Sequence, residues 1–196
     1  MLLALDPGMC SPGVALFQGD VLFRAGRVIA PSGLAALAPG KRWLEVAKLI
    51  VAWAGEHVPP FVPVAQIVFE LPQWYRASKS KGDPNDLVGV AGVAANVTGL
   101  FGLAVPEVFS PTPAEWIGQL SKVCPTCKGK AKKKCKDCLG SAWETPRGRR
   151  IRSRLTGAEL ALVPDQNDAI DAVGLGLFQL GRLAPRSVFS NGRDGH

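Results

Sequence analysis

The chain has 196 residues, 47% apolar and 20% charged, a globular composition long enough to bury a core as one domain with a small appendage. No apolar run approaches the roughly 18 residues that a membrane span needs, and the first run stops at Asp6, too short for a signal-peptide core, so the sequence reads as soluble and cytoplasmic with no membrane partner. The net charge of +7 is unevenly placed: residues 122–154 hold 12 of the 23 Lys and Arg side chains and only Asp137 and Glu144 among acids, +10 against −3 for the rest. A near-neutral body carrying one basic segment implies a polyanion partner, nucleic acid before others, the bland alternative being a solvated charged loop.

In chain order, residues 2–5, 13–17 and 21–29 are short apolar or alternating runs separated by Pro7-Gly8, Ser11-Pro12-Gly13 and Gln18-Gly19-Asp20. That is turn chemistry between strands, and it predicts a three-stranded antiparallel meander. From 31 to 56 the apolar residues recur at helical spacing, so at least the part from about Lys41 is an amphipathic helix, ended by Pro59-Pro60. Residues 65–71 are too continuously apolar for a strand solvated on one face and predict a central one. A helix rich in Ala, Gly and Val over 86–101, a strand over 105–109 and a short helix over 114–120 follow. After the basic segment come a helix over 147–154, a capping box at Thr156 and Glu159, and a last helix from about Asp165 to Leu180; the tail from 184 is polar. The order predicts an α/β fold with a mixed sheet.

Four acids stand where burial is costly without a purpose. Asp6 and Glu70 end apolar strands, and Asp168 and Asp171 lie three apart in an otherwise apolar helix, which puts them on one face. Like charges so placed repel, and a divalent cation resolves the conflict; hard oxygen ligands suit Mg²⁺ or Mn²⁺. Singly each has an ordinary explanation: a turn after Asp6, an N-cap and first-turn acid at Asp165 and Asp168, an arginine partner for Glu70. Together they favour a metal site.

The ordered set resembles a known family. Leu-Ala-Leu-Asp6-Pro-Gly with a following Gly13, Ile-Val-Phe-Glu70-Leu-Pro-Gln, Phe109-Ser-Pro-Thr-Pro-Ala-Glu-Trp116 and Asn-Asp168-Ala-Ile-Asp171-Ala-Val-Gly are similar, in that order, to the motifs of RuvC-like Holliday junction resolvases. The resemblance implies an RNase H-like mixed five-stranded sheet flanked by helices. It also implies a catalytic tetrad of Asp6, Glu70, Asp168 and Asp171 holding two Mg²⁺ ions per active site for phosphodiester hydrolysis in branched DNA. It further implies a homodimer working in the cytoplasm of a bacterial or phage-infected cell. Asp165 has no counterpart in the pattern and is expected to cap the last helix. The Ala/Gly-rich helix is suited either to the dimer interface or to packing on its own sheet. The segment between Glu70 and that helix corresponds to the family loop that enters the junction, so Trp74 and Tyr75 are expected to stack on bases and Arg76, Lys79 and Lys81 to contact phosphates, unless the two aromatics close the core.

One segment departs from the family. Cys124, Cys127, Cys135 and Cys138 form two Cys-x-x-Cys knuckles, the spacing of one closed structural Zn²⁺ site, with a redox dithiol as the rival reading; Cys10 stands outside as a free thiol. The expected domains are a nuclease unit over 1–122 and 140–183, an inserted zinc knuckle over 123–139 and a tail over 184–196. Lys128, Lys130, Lys132, Lys133, Lys134 and Lys136 on the knuckle, and Arg147, Arg149 and Arg150 beyond it, are expected DNA contacts. The competing functions are another nuclease of the same fold acting on flaps or RNA, and a zinc-knuckle nucleic-acid-binding protein without catalysis.

Overall fold

The first strand, β1 (Leu2–Asp6), has four buried residues in succession, and Asp6 is the first that is not fully covered. A strand covered on both faces must be apolar along its length, so β1 is central. It pairs antiparallel with β2 (Gly13–Gln18) and parallel with β4 (Gln66–Phe69). Outside these lie β3 (Val21–Arg27), antiparallel to β2, and β5 (Glu107–Phe109), parallel to β4, giving the order β3-β2-β1-β4-β5. The computed structural model describes residues 1–71, 84–101, 107–120 and 147–183. The expected mixed five-stranded sheet is therefore present, and no helix among the described residues is long and apolar enough to cross a membrane.

Alternation along the strands divides the core. Leu3, Leu5, Val14, Leu16 and Ile67 pack on α1 (Pro39–His57) and α2 (Pro84–Phe101). Leu2, Ala4, Ala15, Phe17 and Val68 face α6 (Asn167–Gln179), with Trp116 of α3 (Pro113–Gly118) and Ile151 of α4 (Arg147–Arg152) beside it. Much of the glycine in α2 serves contact within the chain: a Cβ on Gly92 would lie 2.4 Å from the Trp43 ring.

Several boundaries differ from expectation for local reasons. Residues 32–36 form a 3-10 turn, and the α-helix begins only at Pro39, where a missing N–H costs nothing. The N-cap position of the last helix is Gln166, not Asp165, and its side chain makes no cap hydrogen bond. The Asp165 side chain is fully exposed and bonds Arg152 at 2.9 Å, so the expected cap is corrected. The Thr156–Glu159 capping box forms as read, at the start of α5 (Gly157–Leu160). Thr112 and Glu115 make a second one on α3.

Glu159 does more than cap. It is 2% exposed, accepts from the Leu22 amide at 2.8 Å and from both Arg182 terminal nitrogens at 2.7 and 2.9 Å. One carboxylate thus ties the start of β3 to the segment after α6. The Arg182 contact, then the amides of Thr156 and Leu22, hold its pKa down to about 2 against an ordinary 4.5. A depressed carboxylate stabilises the fold above its unfolded pKa, and that contribution disappears as pH falls from about 4.5 towards 2. Melting temperature followed against pH should therefore drop across this window, and Glu159→Gln should lower stability at neutral pH while flattening the drop.

Candidate active site

All four tetrad acids lie at one end of the sheet, where β1 and β4 finish and α6 begins. Asp6 is the last residue of β1, and Glu70 directly follows β4. Asp168 stands in the first turn of α6, where the helix dipole favours a carboxylate, and Asp171 follows one turn later. What brings α6 close enough is Gly13, paired in register with Asp6 on one side and Arg27 on the other. A Cβ there would lie 1.8 Å from the Asp168 carbonyl oxygen, so only glycine lets the helix start rest on the strand.

Each of three carboxylates is held by a protein group. The Trp116 indole Nε1 donates to Glu70 at 2.6 Å, and Ser11 Oγ donates to Asp168 at 3.0 Å. Arg147 pairs with Asp171 while its guanidinium lies 5.6 Å from the centre of the Trp116 ring, so Trp116 serves Glu70 with its edge and Arg147 with its face. Arg27 reaches within 3.9 Å of Asp168. The roles of Ser11, Trp116 and Arg27 were not apparent from the sequence; Trp116 lay inside a noticed motif, but nothing near it in sequence names Glu70 as its partner.

The electrostatics of the cluster are strained. Burial first, then the charges of Asp171, Glu70 and Asp168, push Asp6 up to about 7, with Arg147 opposing. Asp171 rises to about 6, through burial and then Glu70 and Asp168, again against Arg147. Burial also raises Glu70, and its bond from Trp116 and the charge of Arg147 limit the rise. Among the described residues no three His, Cys, Asp or Glu side chains are grouped so as to hold one ion, and three of the four acids bond protein groups: Glu70 to Trp116, Asp168 to Ser11 and Asp171 to Arg147. The donor set nevertheless fits a divalent cation: it is all carboxylate oxygen, and the burial and like-charge repulsion that hold Asp6 and Asp171 back from ionising are what a cation offsets.

The other expected site residues divide in two. Arg147 is committed to the carboxylate cluster and Arg149 is exposed on the same helix, whereas Arg150 is only 7% exposed. Trp74, Tyr75, Arg76, Lys79 and Lys81, the six knuckle lysines, and Cys124, Cys127, Cys135 and Cys138 lie outside the described residues. Cys10 is an exposed free thiol.

The fold is found in solved structures. The chain is similar to Thermus thermophilus RuvC in complex with a Holliday junction substrate, at a TM-score of 0.52 and 14% identity over 92% of this chain and 96% of that one. The fold is RuvC-like. A second structure of Thermus thermophilus RuvC matches at 0.50 and 15% identity, again over 92% and 96% of the two chains. No protein-family model and no curated protein matches the sequence.

Proposed function

We propose that the protein is a divalent-metal-dependent endodeoxyribonuclease that resolves four-way or otherwise branched DNA by phosphodiester hydrolysis. The observation that carries this reading is the meeting of Asp6, Glu70, Asp168 and Asp171 at one end of a RuvC-like sheet, with Asp6 and Asp171 pushed to about 7 and 6. Those four residues would hold the cations, Mg²⁺ or Mn²⁺, two to a site. When bound, the metal supplies a nucleophile at neutral pH and charge stabilisation at the scissile phosphate. The chain's own side chains do the rest: Trp116 and Ser11 orient Glu70 and Asp168, and Arg147 supplies positive charge beside Asp171. The junction complex of the similar RuvC structure supports branched DNA as the substrate.

The protein acts as a homodimer, for which α2, with Val88 57% and Leu100 42% exposed, supplies apolar surface. Cys124, Cys127, Cys135 and Cys138 hold one structural Zn²⁺, and the lysines between them, with Trp74, Tyr75, Arg76, Lys79 and Lys81, meet the DNA. The test is cleavage, with Mg²⁺ and with chelator, of a mobile four-way junction, a flap, linear duplex and an RNA–DNA hybrid. The junction should be cut at least about tenfold faster than the others, and only with metal. Preferential cutting of flap or hybrid would replace the substrate class, and no cutting of any substrate would remove the enzyme reading.

A further inference from the structure

Arg27 ends β3 on the side of the carboxylate cluster away from β4. Through the pairings Asp6↔Gly13 and Gly13↔Arg27 it stands in one lateral row with Asp6, two strands away, roughly 10 Å at the usual strand spacing. Asp168 covers the glycine between them. Directly paired residues project to the same face, so Arg27 shares the α6 side with the tetrad.

Its donors are underused there. The nearest contact, Nη1 to Asp168 Oδ2 at 3.9 Å, is too long for a hydrogen bond, and the same oxygen already accepts from Ser11 at 3.0 Å. Arg27 Nε is buried with no partner among the described residues. The side chain is about one-third exposed, so the group has an opening to solvent. A buried donor without an acceptor is costly, and a planar guanidinium fork matches a phosphate with two parallel hydrogen bonds. Asp171 has its own counter-charge in Arg147, so Arg27 is not required to balance that side of the cluster.

We propose that Arg27 is a phosphate-contacting residue that grips the DNA backbone next to the scissile position and sets the strand against the carboxylates from the β3 side. This rests on the nuclease reading above and adds a residue to it. The alternative is a structural role, in which Arg27 only steadies Asp168.

The experiment is binding of a labelled four-way junction by the full-length protein without Mg²⁺, across a series of salt concentrations, for wild type, Arg27→Ala, Arg27→Gln and Arg27→Lys. A lost phosphate contact should weaken binding about five- to tenfold in the Ala and Gln variants and reduce the log–log salt slope by up to about 0.9. Arg27→Lys should keep most of the slope, because it keeps the charge. Arg27→Gln retains length and polarity, so it reports should the Ala variant fail to fold. Wild-type slopes in folded Ala or Gln variants, with wild type binding normally, would overturn the proposal and leave the nuclease reading intact. Failure of the wild type itself to bind junction would overturn this proposal together with the four-way junction as substrate.

Discussion

Asp6→Asn, Glu70→Gln, Asp168→Asn and Asp171→Asn should each reduce junction cleavage at least about 10³-fold while leaving junction binding within a few-fold of wild type. Metal-supplied charge stabilisation amounts to several kcal/mol, and each amide removes one anionic ligand without adding repulsion towards phosphate. The changes at Asp6 and Asp171 should act oppositely on stability. In the fold Asp6 and Asp171 ionise near 7 and 6, against 3.8 ordinarily, so the folded protein holds more protons than the unfolded chain between about 4 and 7. Stability of the metal-free protein therefore falls as pH rises through that window. Asp6→Asn removes the largest of these effects and should raise the melting temperature at pH 8 by several degrees, at about 2–4 °C per kcal/mol for a chain of this size, with a smaller gain at pH 5. A variant that is more stable and inactive separates a site role from a packing role. Substantial cleavage by any two of the four would dismiss the tetrad.

The second large effect belongs to Gly13. Its replacement by Ala places a methyl group 1.8 Å from the backbone oxygen of Asp168, and no side-chain rotation relieves a clash with main chain. Either α6 lifts from β2 or the strand end bends, and in both cases Asp168 moves relative to Asp6. Overpacking of this kind costs about 1–3 kcal/mol or more, and since the obstacle is backbone the upper end applies, a fall of roughly 6–12 °C in melting temperature. Misplacement by about 1 Å costs up to about 10² in rate, so folded Gly13→Ala should cleave that much more slowly even below its transition. Wild-type stability and rate together would mean that the helix start does not rest on this strand in solution.

The sequence exposed those parts of the molecule that local spacing encodes. Asp6 and Glu70 were legible because each interrupts a continuous apolar strand, and Asp168 and Asp171 because three-residue spacing fixes a helical face. Thr156 and Glu159 could be paired for the same reason. Contacts between distant segments were not legible. Ser11 and Asp168 are 157 positions apart, and Trp116 and Glu70 are 46 apart, so no periodicity relates them. Asp165 is the instructive miss: a helix-favouring acid just before an apolar run reads as a cap, but Arg152 draws it outward and Gln166 takes the position. The burial of Arg150 was not legible either, because a run of arginines reads as surface.

The claim that the four carboxylates form a divalent cation site is tested most directly by calorimetric titration of Mn²⁺ or Mg²⁺ into the protein at pH 8 without DNA. Saturable binding is expected, with proton release that grows as pH is lowered towards 7, where Asp6 is partly protonated. Asp6→Asn and Asp171→Asn should each lose that binding and its proton release. Titration curves for the two variants that match the wild type, or no saturable binding by the wild type, would contradict the account.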